Sequence, residues 1–302
     1  MPKLLLLAQD PDQYLALLKS ALPGLEIVTA PVADCELGFG DPSLLKDVIP
    51  LLPRLKWVQA TWAGVEPLLD PALRRDYILT NARGVFGPLM SEYIFGYLLL
   101  HERHILQHIE SQKQNRWNEL TTGTLRGKTL GLMGVGSIGA HVAGTAKHFG
   151  MTVRGFTRAS EACSDVDAYF HADLPAFAAG LDYLVNVLPN TRETRQLIDS
   201  SVLAALPAHA LFFNVGRGSA VDESALAEAL SQGRLRGAVL DVFQQEPLPP
   251  DHIFWRTPNL IITSHTAAPS FPKDIAALFI ENYQRLAQGE KLKYQVDFER
   301  GY

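Results

Sequence analysis

Residues 3–8, Lys-Leu-Leu-Leu-Leu-Ala, form an unbroken apolar run of buried-strand length. Asp10-Pro-Asp12 then offers a helix start, and apolar positions over 14–22 recur at helical spacing. Further apolar runs at 25–28, 57–60 and 77–80 are separated by segments containing Pro and Gly. Strands alternating with helices predict a parallel sheet. From Gly87 to about Gln114 the pattern changes: beyond the opening Gly-Pro only Gly96 interrupts it, which predicts one long helix leading from a first domain into a second. A second α/β series opens near Leu125. It has apolar strands predicted at 129–133, 152–156, 182–187, 210–213, 236–240 and 260–263. Helices are predicted at 137–149, 173–179, 199–205 and 222–231, and an amphipathic one at 272–288. This series is long enough for a complete doubly wound domain.

The length of 302 residues points to about two domains, and 47% apolar residues supply two cores. With 27 Lys and Arg against 32 Asp and Glu, the net charge of −5 argues against a nucleic-acid partner. No apolar run approaches the ~18 residues that span a bilayer. The five apolar residues before Gln9 fall short of the ~7–15 of a signal-peptide core. Cys35 and Cys163 form no disulfide framework and no metal spacing, so a cytoplasmic protein is expected. His101, His104 and His108 could share a face of the long helix. The pattern is not His-Glu-x-x-His and no carboxylate completes it, so a solvated or subunit-facing helix is expected and no metal.

Gly134-Val-Gly136-Ser137-Ile138-Gly139 follows a predicted strand and opens a helix. In such a loop the first glycine allows a tight turn, the second lets a pyrophosphate approach the backbone, and the third lets helix and strand pack closely. The helix N-terminus adds free N–H groups and a favourable dipole. The pattern predicts a dinucleotide site. About 20 residues on, NAD sites usually carry an acidic residue on the ribose hydroxyls. Here Thr157 and Arg158 stand at the end of the second strand, a hydroxyl and a guanidinium that suit a 2′-phosphate. NADP is therefore expected as the preferred cofactor, with NAD usable. Glu161 would partly cancel the field of Arg158, and Arg154 could offset it.

Three downstream segments follow directly on apolar strands: Asn214-Val215-Gly216-Arg217-Gly218, Asp241-Val-Phe-Gln-Gln-Glu246-Pro-Leu, and Ser264-His265-Thr266-Ala267. Those positions are the carboxyl ends of a parallel sheet, where ligands bind, so Arg217, Glu246 and His265 could converge. With the glycine loop and Asn186-Val-Leu188-Pro189-Asn-Thr-Arg-Glu-Thr194, these segments resemble the D-2-hydroxyacid dehydrogenase family. Within it, the block Trp62-Ala63-Gly64-Val65 and the ending Gln295-Val-Asp-Phe-Glu-Arg-Gly are most similar to the glyoxylate/hydroxypyruvate reductase A branch.

The resemblance implies two doubly wound α/β domains, a Rossmann-type cofactor domain (93–269) inserted in a flavodoxin-like substrate domain (1–92 with 270–302). It implies an enzyme that reduces small 2-oxo acids such as glyoxylate and hydroxypyruvate. Arg217 would clamp the 2-oxo acid and polarise its carbonyl, and His265 would donate the proton, held by Glu246. Asp241 would hold the nicotinamide carboxamide. Ala63 and Gly64 would bind the substrate carboxylate through backbone N–H groups. Ser137, Ile138, Leu188, Pro189, Thr194, Val215 and Gly216 would line the cofactor, as would Arg217 and His265. Trp62 and Thr266 depart from the branch's pattern, which puts the substrate in doubt more than the reaction. Another activity on this scaffold, or a non-catalytic dinucleotide-sensing protein, is the alternative. The resemblance also implies a homodimer. The apolar set Tyr93, Ile94, Tyr97, Leu98 and Ile105 on the long helix is expected to exceed what its own subunit can cover.

Overall fold

The computed structural model describes residues 2–158 and 160–301. The chain folds into two compact units, Met1–Val85 with Ser270–Tyr302, and Phe86–Pro269. In the first, β1 (Lys3–Leu7), α1 (Pro11–Ala21), β2 (Glu26–Val28), β3 (Leu37–Gly40), α2 (Pro42–Val48), β4 (Trp57–Ala60) and β5 (Ile78–Thr80) follow in order. The strands make a five-stranded parallel sheet, β2-β1-β3-β4-β5. Strand β3 and helix α2 are not predicted from the apolar pattern, because Gly38 and Gly40 dilute the run. Gly40 is needed where it stands: a Cβ there would collide with the carbonyl of Leu7 on β1.

The second unit opens with α3 (Gly87–Glu102) and α4 (Ile105–Lys113). It continues with β6 (Thr129–Met133), α5 (Ser137–His148), β7 (Thr152–Phe156), β8 (Ala168–Phe170), α6 (Leu174–Ala178) and β9 (Tyr183–Asn186). It closes with α7 (Ser200–Ala205), β10 (Leu211–Asn214), α8 (Glu223–Ser231), β11 (Gly237–Leu240) and β12 (Leu260–Ile262). Its seven-stranded parallel sheet runs β12-β11-β10-β9-β6-β7-β8. The chain leaves β6 outward to β7 and β8, then returns to β9 on the other flank of β6. That reversal is the topological switch point, and ligands of such sheets bind outside the strand ends beside it. The apolar cores lie on both faces of the sheet, as continuous apolar strands require.

The expected long helix is broken. Helix α3 stops at Glu102, His104 adopts the left-handed conformation (φ 50°), and α4 starts at Ile105. The cause is tertiary. The Glu102 carbonyl accepts from Gly123 N–H at 2.8 Å in place of the next helical turn, and the Glu102 carboxylate meets Arg236 at 3.1 Å. His101, His104 and His108 therefore do not lie on one continuous helix. Among the described residues no group of three His, Cys, Asp or Glu could hold a metal ion.

The first unit boundary falls at 85/86 instead of 92/93. Gly87 already packs on α5, where a Cβ would meet His141 Cβ at 2.7 Å, and Ile94, Phe95 and Leu98 share a core with Val142, Ala143 and Ala146. Cys35 and Cys163 are free thiols. No helix among the described residues is long and apolar enough to cross a membrane.

After residue 269 the chain returns to the first unit through α9 (Pro272–Ala287), which buries Ile275, Ala276, Phe279 and Asn282. Phe279 stacks on Trp57 of β4 with ring centroids 4.9 Å apart and planes 6° from parallel. The Trp57 indole N–H donates to Thr80 Oγ1 at 2.8 Å. Asn282 donates to Gln59 and to the Lys293 carbonyl, both at 3.2 Å. The helix is thus clamped to the sheet by a fully buried aromatic pair. Phe279→Ala should cost about 3–5 kcal/mol, the usual penalty for an emptied aromatic site. Denaturant unfolding measures it, and a loss below about 1 kcal/mol would mean that this clamp does not hold α9.

Candidate active site

The glycine loop joins β6 to α5 beside the switch point. Gly134 takes φ 99°, closed to most side chains, and its N–H bonds the Phe156 carbonyl of β7 at 2.9 Å. A Cβ on Gly139 would strike the Gly134 carbonyl, so the helix can start this close to the turn only with glycine. A Cβ on Gly136 would meet nothing within 4 Å. The open side of the turn is the space a pyrophosphate needs, facing the first N–H groups of α5, and Ser137 and Ile138 lie in that first turn. The residues present fit a dinucleotide.

Two buried asparagines shape the neighbouring strand ends. Asn186, ending β9, donates to Asn214 Oδ1, ending β10, at 2.9 Å. Asn186 Oδ1 accepts from Leu188 N–H at 3.2 Å, and Asn214 donates to the Arg217 carbonyl at 3.1 Å. This ladder fixes the loops carrying Leu188, Pro189, Val215, Gly216 and Arg217. They pack so closely that a Cβ on Gly216 would meet Leu188 backbone at 2.7 Å. The Thr194 hydroxyl donates to the Pro189 carbonyl at 2.7 Å and so closes its own loop.

On the next two strand ends, Asp241 closes β11 and His265 follows β12. Asp241 is 1% exposed, and its carboxylate accepts from Thr263 Oγ1 at 2.5 Å, Thr266 N–H at 2.8 Å and Ala267 N–H at 2.9 Å. Its carbonyl accepts from His265 N–H at 2.8 Å. These bonds hold His265 in the left-handed region (φ 56°), which costs a non-glycine residue about 1–3 kcal/mol. In that posture His265 Nδ1 lies 2.7 Å from Glu246 Oε2, while Glu246 Oε1 accepts Phe243 N–H at 2.9 Å.

The hydrogen bond to Glu246 raises the His265 pKa above its ordinary 6.5, outweighing partial burial. Burial pushes the Glu246 pKa up, but its bonds from His265 and Phe243 N–H outweigh that and leave it lowered. The Arg217 guanidinium, whose Nη1 donates to the Gly216 carbonyl at 2.8 Å, lowers both pKa values through its charge. Arg217, Glu246 and His265 are therefore electrostatic neighbours, with His265 Nε2 directed away from Glu246. Such a group can anchor an anion and pass a proton to an oxygen beside it.

At the end of β7, Thr157 N–H bonds the Phe170 carbonyl at 3.0 Å, and Arg158 follows. The Arg154 guanidinium donates through Nη1 to the Ala179 carbonyl at 2.7 Å. Ala63 and Gly64 belong to the first unit, in the loop after β4, where Asn81 donates to the Ala63 carbonyl at 2.8 Å. Reading the sequence missed Thr263, Asn186 and Asn214 as parts of the site. Their only signal is a polar residue ending an otherwise apolar strand.

Fold and site together define a dinucleotide-dependent oxidoreductase. The model of the D-isomer specific 2-hydroxyacid dehydrogenase NAD-binding domain matches residues 95–267. The chain belongs to that family. Glyoxylate/hydroxypyruvate reductase A of Klebsiella pneumoniae is 34% identical over 256 residues, covering 82% of each chain. A solved D-isomer specific 2-hydroxyacid dehydrogenase family protein from Aeromonas salmonicida is 45% identical, with a TM-score of 0.92 over 98% of this chain and 99% of its own. An NADPH-dependent glyoxylate/hydroxypyruvate reductase from Sinorhizobium meliloti, solved with NADP and sulfate, is 29% identical, with a TM-score of 0.91 over 100% of both.

The raised His265 pKa has a signed consequence. A proton donor works below its pKa, so reduction should fall as pH rises through that value, above 6.5. Glu246→Gln removes the carboxylate that stabilises the imidazolium and should move this limb of the kcat/KM profile to lower pH. An unmoved limb would remove Glu246 from the proton transfer.

Proposed function

We propose that the chain reduces small 2-oxo acids, glyoxylate and hydroxypyruvate among them, to 2-hydroxy acids, preferring NADPH and accepting NADH. The observation that carries this reading is the Arg217 guanidinium beside a hydrogen-bonded His265–Glu246 pair, on the same sheet edge as a dinucleotide loop, with β9 between β10 and β6. The names of the Klebsiella and Sinorhizobium relatives support the substrate class, and the NADP in the latter structure supports the cofactor.

A reduced nicotinamide, when held at this site, would supply the hydride that reduces the carbonyl carbon. Arg217 holds the 2-oxo acid through charge-assisted bonds and stabilises the developing alkoxide. His265 Nε2 gives that oxygen its proton, and Glu246 keeps the imidazole protonated and oriented on Nδ1. Asp241 holds the His265 loop. A carboxylate has about four acceptor positions and three are used, so one remains for the nicotinamide carboxamide. The loop glycines with Ser137 and Ile138 take the pyrophosphate, Thr157 and Arg158 the phosphorylated ribose, and Leu188, Pro189, Thr194, Val215 and Gly216 line the cofactor's path. Ala63 and Gly64 offer backbone N–H groups to the substrate carboxylate. The two free thiols suit a reducing cytoplasm.

The proposed assembly is a homodimer, its basis narrowed to the second half of the expected helix, where Ile105 is exposed as expected. Ile94 and Leu98 are fully buried inside the second unit, and Tyr93 and Tyr97 pack against the same core. What stays open is on α4: Ile105 is 40% exposed, Leu106 54% and Ile109 45%. Sedimentation should give about twice 33.3 kDa at micromolar concentration, and a 33.3 kDa species would refute the dimer.

Arg217→Ala should lower kcat/KM for glyoxylate by about two to three orders of magnitude, the usual cost of removing a donor from a developing oxyanion. Steady-state NADPH consumption reads it, and a near-wild-type value would remove Arg217 from the site.

A further inference from the structure

Past the end of β7, a histidine without a part in the chemistry joins Thr157 to Glu161. His171, directly after β8, has its Nδ1 2.8 Å from the Thr157 carbonyl and its Nε2 2.6 Å from Glu161 Oε1. With Nδ1 protonated it donates to that carbonyl. The Glu161 carboxylate is thereby held one imidazole away from the residue that ends β7. Glu161 and His171 are exposed and Thr157 is half-buried, so nothing in the packing of the core demands the arrangement.

We infer that the Glu161–His171 pair sets the discrimination between 2′-phosphorylated and unphosphorylated dinucleotides, Glu161 opposing the phosphate and a protonated His171 cancelling that opposition. The inference rests on the reading that Thr157 and Arg158 receive the phosphorylated ribose. With the imidazole protonated, the pair is a neutral zwitterion and the Arg158 charge acts on the phosphate unopposed by it. Once the imidazole loses its proton, Glu161 leaves a net negative charge beside the ribose position. The pair thus makes NADPH affinity fall with rising pH, while NADH, which carries no 2′-phosphate, stays nearly constant.

The charges around the pair are few. Glu161 is the charged group acting on His171, and its hydrogen bond raises the imidazole pKa above 6.5, the Thr157 carbonyl adding to the rise. The change therefore falls above pH 6.5. In the loop after β9, hydrogen bonds from its own backbone N–H and from Thr191 lower the Glu193 pKa, the charges of Arg158 and Arg192 adding to this, so it stays ionised through that range. Tyr169, beside His171 on β8, bonds the backbone of Cys163 through its hydroxyl, and burial and Glu161 raise its pKa.

The test is direct binding, read from nicotinamide fluorescence, of NADPH and NADH between about pH 7 and 9, where a phosphate with second pKa about 6 keeps its charge. A unit charge within a Debye length of such a phosphate changes its affinity by about two- to fivefold at low ionic strength and less in salt. Wild type should lose NADPH affinity by that factor across the range, with NADH unchanged. Glu161→Gln should bind NADPH at pH 9 as tightly as wild type does at pH 7, or tighter, and show no pH slope. His171→Gln, which keeps a donor for the Thr157 carbonyl, should bind NADPH weakly at both ends. A Glu161→Gln protein with the wild-type affinity or the wild-type slope would overturn the inference. Arg158→Ala separates the two readings. If it weakens NADPH while Glu161→Gln changes nothing, only the role of the pair fails. If it leaves NADPH binding intact, the placement of the ribose fails.

Discussion

The carboxylate of Asp241 is buried, and three donors drawn from a single loop bond to it. Thr263 Oγ1, Thr266 N–H and Ala267 N–H converge on it, and its own carbonyl takes His265 N–H. A buried anion left short of partners is costly, so the loop must close around it. In closing, it drives His265 into a left-handed conformation that histidine would not adopt alone, and that conformation aims Nδ1 at Glu246. The Tyr93 hydroxyl on α3, 2.7 Å from Thr263 Oγ1, ties the same loop to the helix that opens the second unit. One residue at a strand end therefore positions the His265 imidazole, twenty-four residues along the chain, through hydrogen bonds to the loop backbone.

The rest of the site follows from the parallel sheet. Consecutive strand ends place Arg217, Asp241 and His265 side by side, because β10, β11 and β12 pair in register with the same polarity. The reversal at β6 places the glycine loop on the same edge. The Asn186–Asn214 ladder extends the sheet's order into the loops beyond it, using side-chain amides where the backbone ladder has ended. Chemistry that needs an anchored anion, a poised proton and an open anion cradle is thus assembled from four loops, each fixed by a strand.

Where the backbone answers to its own side chains, the fold could be read in advance. The apolar runs of β1, β4, β6, β7 and β10 announce buried parallel strands, and the glycines of the dinucleotide loop announce its turn. Strand β3 escaped because its glycines serve a close approach to β1, a contact invisible in a one-dimensional pattern. Strand β8 escaped as a three-residue edge. The break after α3 has its cause at Gly123 and Arg236, far away in sequence, so local propensity read straight through it. Arg217, Glu246 and His265 were legible as a motif, but the loop geometry that makes His265 useful was not, since it depends on which donors reach Asp241. The same holds for Glu161, whose partner His171 sits across the unread β8.

The geometry of the site depends on Asp241 holding His265 against Glu246. The direct measurement is the His265 pKa by nuclear magnetic resonance, its signal assigned by loss in His265→Gln, in wild type and in Asp241→Asn. Wild type should titrate above 6.5, and Asp241→Asn, short of an acceptor for the loop's N–H groups, should fall back toward 6.5. The charge of Asp241 is the smallest of the influences on that imidazole, so its loss alone leaves most of the rise in place. A His265 pKa that is the same in both proteins would contradict the claim.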